Sequence, residues 1–469
     1  MIARPKSCAT AKTPGTHRRI CRILALVPMC AALWAQPPNP SPAQDPPLAI
    51  DMARVVGLVQ NRNLEVQASR EGIVAAKEKV GEAQALRLGR VGVDASYIRF
   101  DDPISISSPP VQFAGTTIAV PPTILAPSDS VHVRLEAGLP LYTGGKIANA
   151  VGQARAGEKA ARALSGNTEV ATILDAERLY LAVLLGRDVV RLNDRALESY
   201  RHHLADAQVA YREGVAANYD VIRAETAVAE QEKRSIEARN RLQLAEAALR
   251  TALDLSEPAR IDIIGALFEP PPPPPLADAQ AAAIAGHPGL AALRDKVEAL
   301  ERAEKMEKAD YLPQVAAVMG KETVTSKLAQ TDPTWYAGVH ASWSLFEGGA
   351  RRARVAEKAS EAARVRIELR HGEEQVRLAV RSALLDYDSQ KSALDAARKA
   401  AELAAESLRL ATKRFAVSAG TSLEVLDANV ALTAAGISVQ NSLFNMTVAY
   451  LEIHRQAGDI SDVATRIQK

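Results

Sequence analysis

Two proline-free stretches of this chain carry an apolar residue at every seventh position. In the first, Val183, Val190, Leu197, Leu204 and Tyr211 form one set, and Val221, Val228, Ser235, Leu242 and Leu249 form a second with one polar member. In the other, the sets are Tyr387, Leu394, Ala401, Leu408 and Phe415, then Val425, Leu432, Val439, Met446 and Ile453. A heptad kept up over four turns of the repeat predicts helices that pack as coiled coils. The pattern places one long helix at about 146–211 and a returning helix at about 220–251, separated by Gly214-Val215-Ala216-Ala217-Asn218. The second stretch has its break at Ser418-Ala419-Gly420-Thr421-Ser422, with Glu424 opening the returning helix and Asn218 and Ser422 as expected N-caps. At ~1.5 Å per residue the first helix would be on the order of 100 Å long, too long to bury its own apolar face.

Upstream of each hairpin the period changes from seven to two. Residues 131–141, VHVRLEAGLPL, and 335–345, WYAGVHASWSL, alternate, and their spacing predicts strands about long enough to cross a bilayer at a tilt. Residues 91–100 and 313–324 are their expected antiparallel partners, and helices are expected at about 50–86 and 277–309. The Pro-, Ser- and Thr-rich stretch 101–130 reads as an exposed loop.

The two halves echo one another. LYTGG at 141–145 and LFEGG at 345–349 stand 204 residues apart, and the same offset superimposes the heptad sets. Six consecutive prolines, Pro270 to Pro275, form a polyproline II spacer between the halves. The expected organisation is a signal peptide at 1–35, a Pro-rich segment at 36–47, a first repeat at 48–257, a Pro-rich linker at 258–276, a second repeat at 277–457 and a tail at 458–469. The fold class is therefore mostly α with a small β part, built by internal duplication. Four strands cannot close a barrel, and an open edge in lipid leaves backbone groups unpaired. Three copies would give a twelve-stranded barrel continued by a helical coiled-coil tube.

Composition narrows the function. Aromatic residues make up 4% of the chain, in keeping with narrow helical seams in place of a deep enzymatic core. The first 35 residues hold six basic side chains, no acid and a terminal apolar run, the layout of a secretory signal. Subtracting those six charges from the formal +2 leaves −4, so no basic face points to nucleic acid. Cys8, Cys21 and Cys30 all lie in that leader, which removes disulfides and thiolate ligands from the rest; lipidation of Cys30 is disfavoured by the bulky residues before it. Beyond the leader no apolar run reaches transmembrane-helix length. His202-His203 reads as a solvated helix face, since no third ligand stands at helical spacing. No nucleophile elbow, phosphate loop or HExxH occurs, so neither an enzyme nor a cofactor is expected.

Taken together and in order, LYTGG, LFEGG, YLP at 311–313 and VLDAN at 425–429, echoed by VIRAE at 221–225, make the chain resemble the outer membrane efflux protein family of TolC-like channels over residues 48–458. The resemblance implies a homotrimer in outer membrane lipid, a tunnel across the periplasm, and docking to an adaptor (membrane fusion) protein and an inner-membrane pump of RND or ABC type, as an exit duct for efflux or type I secretion. A poreless periplasmic coiled coil is the alternative. The resemblance also assigns the periplasmic entrance to Asp220, Glu424 and Asp427, and the tip that meets the adaptor to Gly214, Ser418 and Gly420. Gly144, Gly145, Gly348 and Gly349 would turn strand into helix, and Trp335 and Trp343 would lie at the membrane interface. Two departures stand out: Ser418 stands where well-known members carry a Gly, and the Tyr and Arg that latch their tip are replaced by Phe415 and Gly420, so that latch does not transfer.

Overall fold

The computed structural model describes residues 48–118, 120–126, 128–255, 261–326 and 334–460. The expected signal peptide, the Pro-rich segment 36–47, the three cysteines and the tail beyond residue 460 lie outside the described residues. The chain begins with β1 (Leu48–Ile50), α1 (Met52–Arg62), α2 (Leu64–Ala85) and β2 (Arg90–Arg99). Short strands follow as β3 (Ile104–Ile106), β4 (Val111–Phe113), β5 (Thr116–Ile118) and β6 (Thr123–Ala126). Then come β7 (Asp129–Tyr142), α3 (Lys146–Arg212), α4 (Asn218–Ala252) and β8 (Ile261–Ile263). The second half runs α5 (Leu276–Gly286), α6 (Pro288–Lys308), a 3-10 turn at Ala309–Tyr311, β9 (Gln314–Ser326), β10 (Thr334–Ser342), α7 (Ala350–Ala416) and α8 (Ser422–Ala457).

The duplication is metrical. Both long helices, α3 and α7, have 67 residues, and they start at Lys146 and Ala350, the offset of 204 seen between the glycine pairs. The helices form two rows. Toward the sheet α3 lies between α2 and α6, with α7 beyond α6; toward the hairpin tips α3 lies between α4 and α8, with α7 beyond α8. The long helices thus run through both rows while shorter ones exchange beside them.

Where the rows meet, an apolar core gathers Met52, Val55 and Val59 of α1, Ile173, Leu174 and Leu181 of α3, and Met446 and Leu451 of α8. The segment around the proline rod is held to this core. Tyr387 donates to the carbonyls of Pro270 and Pro271 at 3.2 Å, and Thr447 donates to that of Phe268 at 3.1 Å. The rod therefore lies along α7 and α8 and is not a free spacer. A parallel pairing of β1 with β8 draws the start of the first repeat to the start of the linker.

Four of the strands form one antiparallel sheet in the order β10-β9-β7-β2. The register sets Arg134 opposite Asp94 on one side and Glu322 on the other, while Leu135 faces Val93 and Lys321. Side chains alternate across a sheet, so this register puts Val91, Val93, Val131, Val133, Ala137, Met319 and Ala337 on one face and Asp94, Arg134, Glu136, Glu322 and Tyr336 on the other. On the polar face Arg134 pairs with Glu322 at 3.0 Å, and Tyr336 donates to Glu136 at 3.1 Å across Gly320, where a Cβ would stand 2.5 Å from the Tyr336 ring.

Several expectations need correction. The predicted helix at 50–86 is two helices, because Asn63 caps α2 by accepting from the amides of Glu65 and Val66 and donates to Ala252. The one at 277–309 is divided at His287, where Pro288 disfavours helical backbone in the residue before it. The stretch 101–130 contains two ribbons, β3 with β6 and β4 with β5, as well as the start of β7. Strand β10 ends at Ser342, short of the predicted Leu345. Asn218 and Ser422 are the first helical residues and not the caps; Ala217 and Thr421 occupy those positions, and only Thr421 supplies a side-chain acceptor, to Glu424.

The seam of α3 is also displaced. Buried residues in its lower half are Asn193, Ala196, Tyr200, His203 and Ala207, one position before the predicted Leu197 and Leu204, which are half-buried. Polar side chains take seam positions here because each finds a partner: Gln231 donates to the side chain and carbonyl of Asn193 at 3.0 and 3.1 Å.

Candidate functional site

Two regions hold the residues singled out above. The first is the pair of strand-to-helix junctions. Gly145 and Gly349 are the N-caps of α3 and α7 with φ of 86° and 89°, each preceded by a glycine at φ 59°. Two consecutive left-handed residues turn a strand end into a helix start, and glycine adopts them without a Cβ penalty.

Both junctions are tied to the turn that ends α6. Lys146 binds Asp310 at 2.8 Å, and Arg354 reaches Glu307 at 3.2 Å and Glu347 at 3.1 Å. Arg351 donates to Glu347 and to the Ser344 carbonyl, and its guanidinium stands 4.8 Å above the Tyr311 ring. These hydrogen bonds from Arg351, Ser344 and Arg354 pull the Glu347 carboxyl down to about 2. Sequence reasoning missed this hub. Its signal was present in the glutamate of LFEGG and the acid before YLP, but only the fold sets them side by side. Asp310→Ala is expected to lower the thermal midpoint by about one degree, for a loss of about 1 kcal/mol, and to cost more than Glu158→Ala, which breaks only a pair within one helix. Equal midpoints for the two variants would refute the hub.

The tryptophans divide between two settings. Trp335 lies on the apolar face of β10 with the Lys321 ammonium 5.3 Å over its ring. Trp343 sits past the end of that strand and donates its indole N–H to the Tyr311 carbonyl at 3.1 Å. Both are exposed, as are Tyr142, Leu345 and Phe346 nearby.

The second region is the pair of hairpin tips. Gly214 takes φ 74°, and Ser418, its counterpart at the 204 offset, takes φ 57°, a left-handed conformation uncommon outside glycine. Gly420 is needed for a close approach, since a Cβ there would come 2.9 Å from Cβ of Arg414. Arg414 in turn pairs with Glu424 at 3.3 Å and donates to the Ala419 carbonyl at 3.1 Å. Asp220 stands half-buried in the first turn of α4, and Asp427 is exposed one turn into α8. The tip therefore brings Glu424 together with a cation but leaves Asp427 facing outward.

Beside these acids, His202 is exposed as expected, but His203 is buried and not on a solvated face, which corrects the expectation for that residue. The local reason is its seam position, seven residues after Ala196 and three after Tyr200. Burial pushes its imidazole below the ordinary range against the opposing pull of Asp206 and Asp220. Among the described residues, no group of three or more His, Cys, Asp or Glu side chains is arranged to hold a metal ion.

The family described as Outer membrane efflux protein matches residues 55–254 and 281–458, most of the chain and both of its repeats. The chain belongs to that family. It is similar to Outer membrane efflux protein BepC of Brucella suis biovar 1 (strain 1330), with 24% identity over 320 residues that cover 66% of this chain and 68% of that protein. Its fold matches the Campylobacter jejuni CmeC outer membrane channel at a TM-score of 0.71 and 12% identity, covering 87% of this chain and 85% of that one. The open state of the Neisseria gonorrhoeae MtrE outer membrane channel matches at 0.70 and 15%, covering 87% and 88%. As a member of the family the chain is an outer membrane efflux channel, a transport protein and not an enzyme, which extends into the periplasm. The poreless coiled-coil alternative is set aside accordingly. The helix α8, which is apolar and long enough to cross a bilayer, packs along α7 and α3 in the helical rows.

Proposed function

We propose that three copies of this chain close a single conduit, and that its helical end docks to an adaptor protein and an inner-membrane pump of RND or ABC type. The observation that carries the trimer is that one chain leaves its outer elements uncovered in both layers. The sheet ends in unpaired edges at β2 and β10, which neighbouring copies would pair to give twelve strands and a water-filled lumen. In the helical layer α4 exposes Ile222 and Ile236, and α7 with its C-cap exposes Leu403, Leu410 and Val417 at a spacing of seven. These are the two outer helices of the lower row, so one copy's α4 stripe can cover the next copy's α7 stripe. The apolar sheet face then meets lipid, and the face with Asp94, Arg134, Glu136 and Glu322 lines the pore.

In this assembly Asp220, Glu424 and Asp427 ring the periplasmic entrance, with Gly214, Ser418 and Gly420 at the rim that meets the adaptor. The bland role of an acid in a first helical turn, complementing the helix dipole, covers Asp220 and Glu424 and is compatible with it. Asp427 lies one turn deeper, where the dipole acts less, which favours the lumen role. A ring of carboxylates attracts cations and resists anions. The test is conductance of the purified protein in planar bilayers, together with a heat-modifiable trimer on denaturing gels; a monomer that never conducts would sink the reading. Neutralising Asp220, Glu424 and Asp427 together is expected to reduce the cation preference measured as a reversal potential in a salt gradient. An unchanged reversal potential would remove these residues from the entrance.

A further inference from the structure

Near the tips, a buried polar contact joins the first hairpin to the second. His203 of α3 meets Ser422, the first residue of α8, with Nε2 and Oγ 2.8 Å apart. Both are buried, at 4% and 2% exposure. The imidazole also packs edge-on against Phe415 of α7, with ring centroids 4.8 Å apart at 63°. Phe415 belongs to two small apolar clusters at once, one with Ala207, Val221 and Ala224 of the first hairpin and one with Ala411, Val425 and Ala428 of the second. All four helices therefore converge on this pair of side chains, and the hairpins of one protomer cannot separate without breaking it.

We propose that His203 and Ser422 form a proton-operated clasp: the neutral imidazole holds the two hairpins of a protomer together at the tip, and protonation releases them. This rests on the channel reading above, in which the hairpin tips bound the entrance. The charged groups around His203 are Asp206 on its own helix and Asp220 on α4, which favour imidazolium. On the other two helices, Arg414 of α7 and Glu424 of α8 neutralise one another at 3.3 Å. Burial opposes protonation and outweighs the two aspartates, so the closed tip binds a proton less well than a hydrated histidine does. Linkage then has one sign. The clasp contributes fully above the free imidazole value of about 6.5, and its contribution falls as the pH drops through and below that value, so protons favour the separated state.

The experiment uses the full-length trimer in planar bilayers at about pH 7.5 and about pH 5.5, on either side of the histidine range. Wild type is expected to spend severalfold more time open at the lower pH. His203→Gln retains an amide that can bond Ser422 but does not titrate, and should show little change between the two conditions. Ser422→Ala removes the bond and should raise opening at the higher pH. Conductance with no pH dependence in wild type, or equal pH dependence in wild type and His203→Gln, overturns the clasp while leaving the channel intact. A trimer that conducts under no condition overturns the channel reading and the clasp with it.

Discussion

Glu177→Met raises the thermal stability of this efflux protein, by a margin that widens as the pH rises from about 5 to about 8. Glu177 projects from α3 beside Ile173, Leu174 and Leu181, is fully buried, and neither of its carboxylate oxygens has a hydrogen-bond partner among the described residues. Desolvation alone pushes its carboxyl from 4.5 up to about 8. A raised acid value means that the folded protein holds a proton which the unfolded chain releases. The corresponding stability is fully present below the unfolded value, declines as the pH rises through the interval, and is gone above about 8. At ~1.4 kcal/mol per pH unit that interval represents at most about 5 kcal/mol. Methionine, of similar length and without a polar tip, removes this loss together with the roughly 1–3 kcal/mol cost of burying an unpaired polar group. Thermal unfolding of wild type and Glu177→Met in detergent at both pH values checks the expectation. A difference in midpoint that does not grow with pH would mean that Glu177 is not the titrating group.

Gly144→Ala damages the protein more than Gly348→Ala, although the two glycines are equivalent in the repeat. Both take φ 59°, so alanine at either site carries the left-handed cost of about 1–2 kcal/mol. At Gly144 the added Cβ would also come 2.9 Å from the Ala309 carbonyl oxygen and 2.9 Å from Cβ of Leu312. A backbone atom on the far side cannot move out of the way, which adds a crowding cost of about 1–3 kcal/mol. At Gly348 nothing among the described residues lies within 4 Å. The expected result is a lower midpoint and lower yield of folded protein for Gly144→Ala, with Gly348→Ala between it and wild type. Equal losses would show that the two junctions are packed alike.

Much of the fold was legible because long periodic patterns average over local detail. The heptads of α4 and α8 matched the buried seam at Val221, Ser235, Leu249, Val425, Met446 and Ile453. In α3 the same reading slipped by one position, because Asn193 and His203 look like surface residues until their partners Gln231 and Ser422 are brought in from 38 and 219 residues away. The junction glycines announced themselves by repetition. Their supporting hub did not, since Asp310 lies 164 residues from the Lys146 that it binds.

The sequence by itself determined the duplication, the helical hairpins, the alternating strands and the family, all of which follow from periods of seven and two and from motifs a few residues long. Only the tertiary structure decided which face of α3 is buried, that the proline rod is docked, that Glu177 is buried among apolar side chains, and that His203 meets Ser422 between the tips. The physical reason is that periodicity records the solvent each face meets on average, whereas the partner of a particular polar side chain is set by packing between segments far apart in the chain.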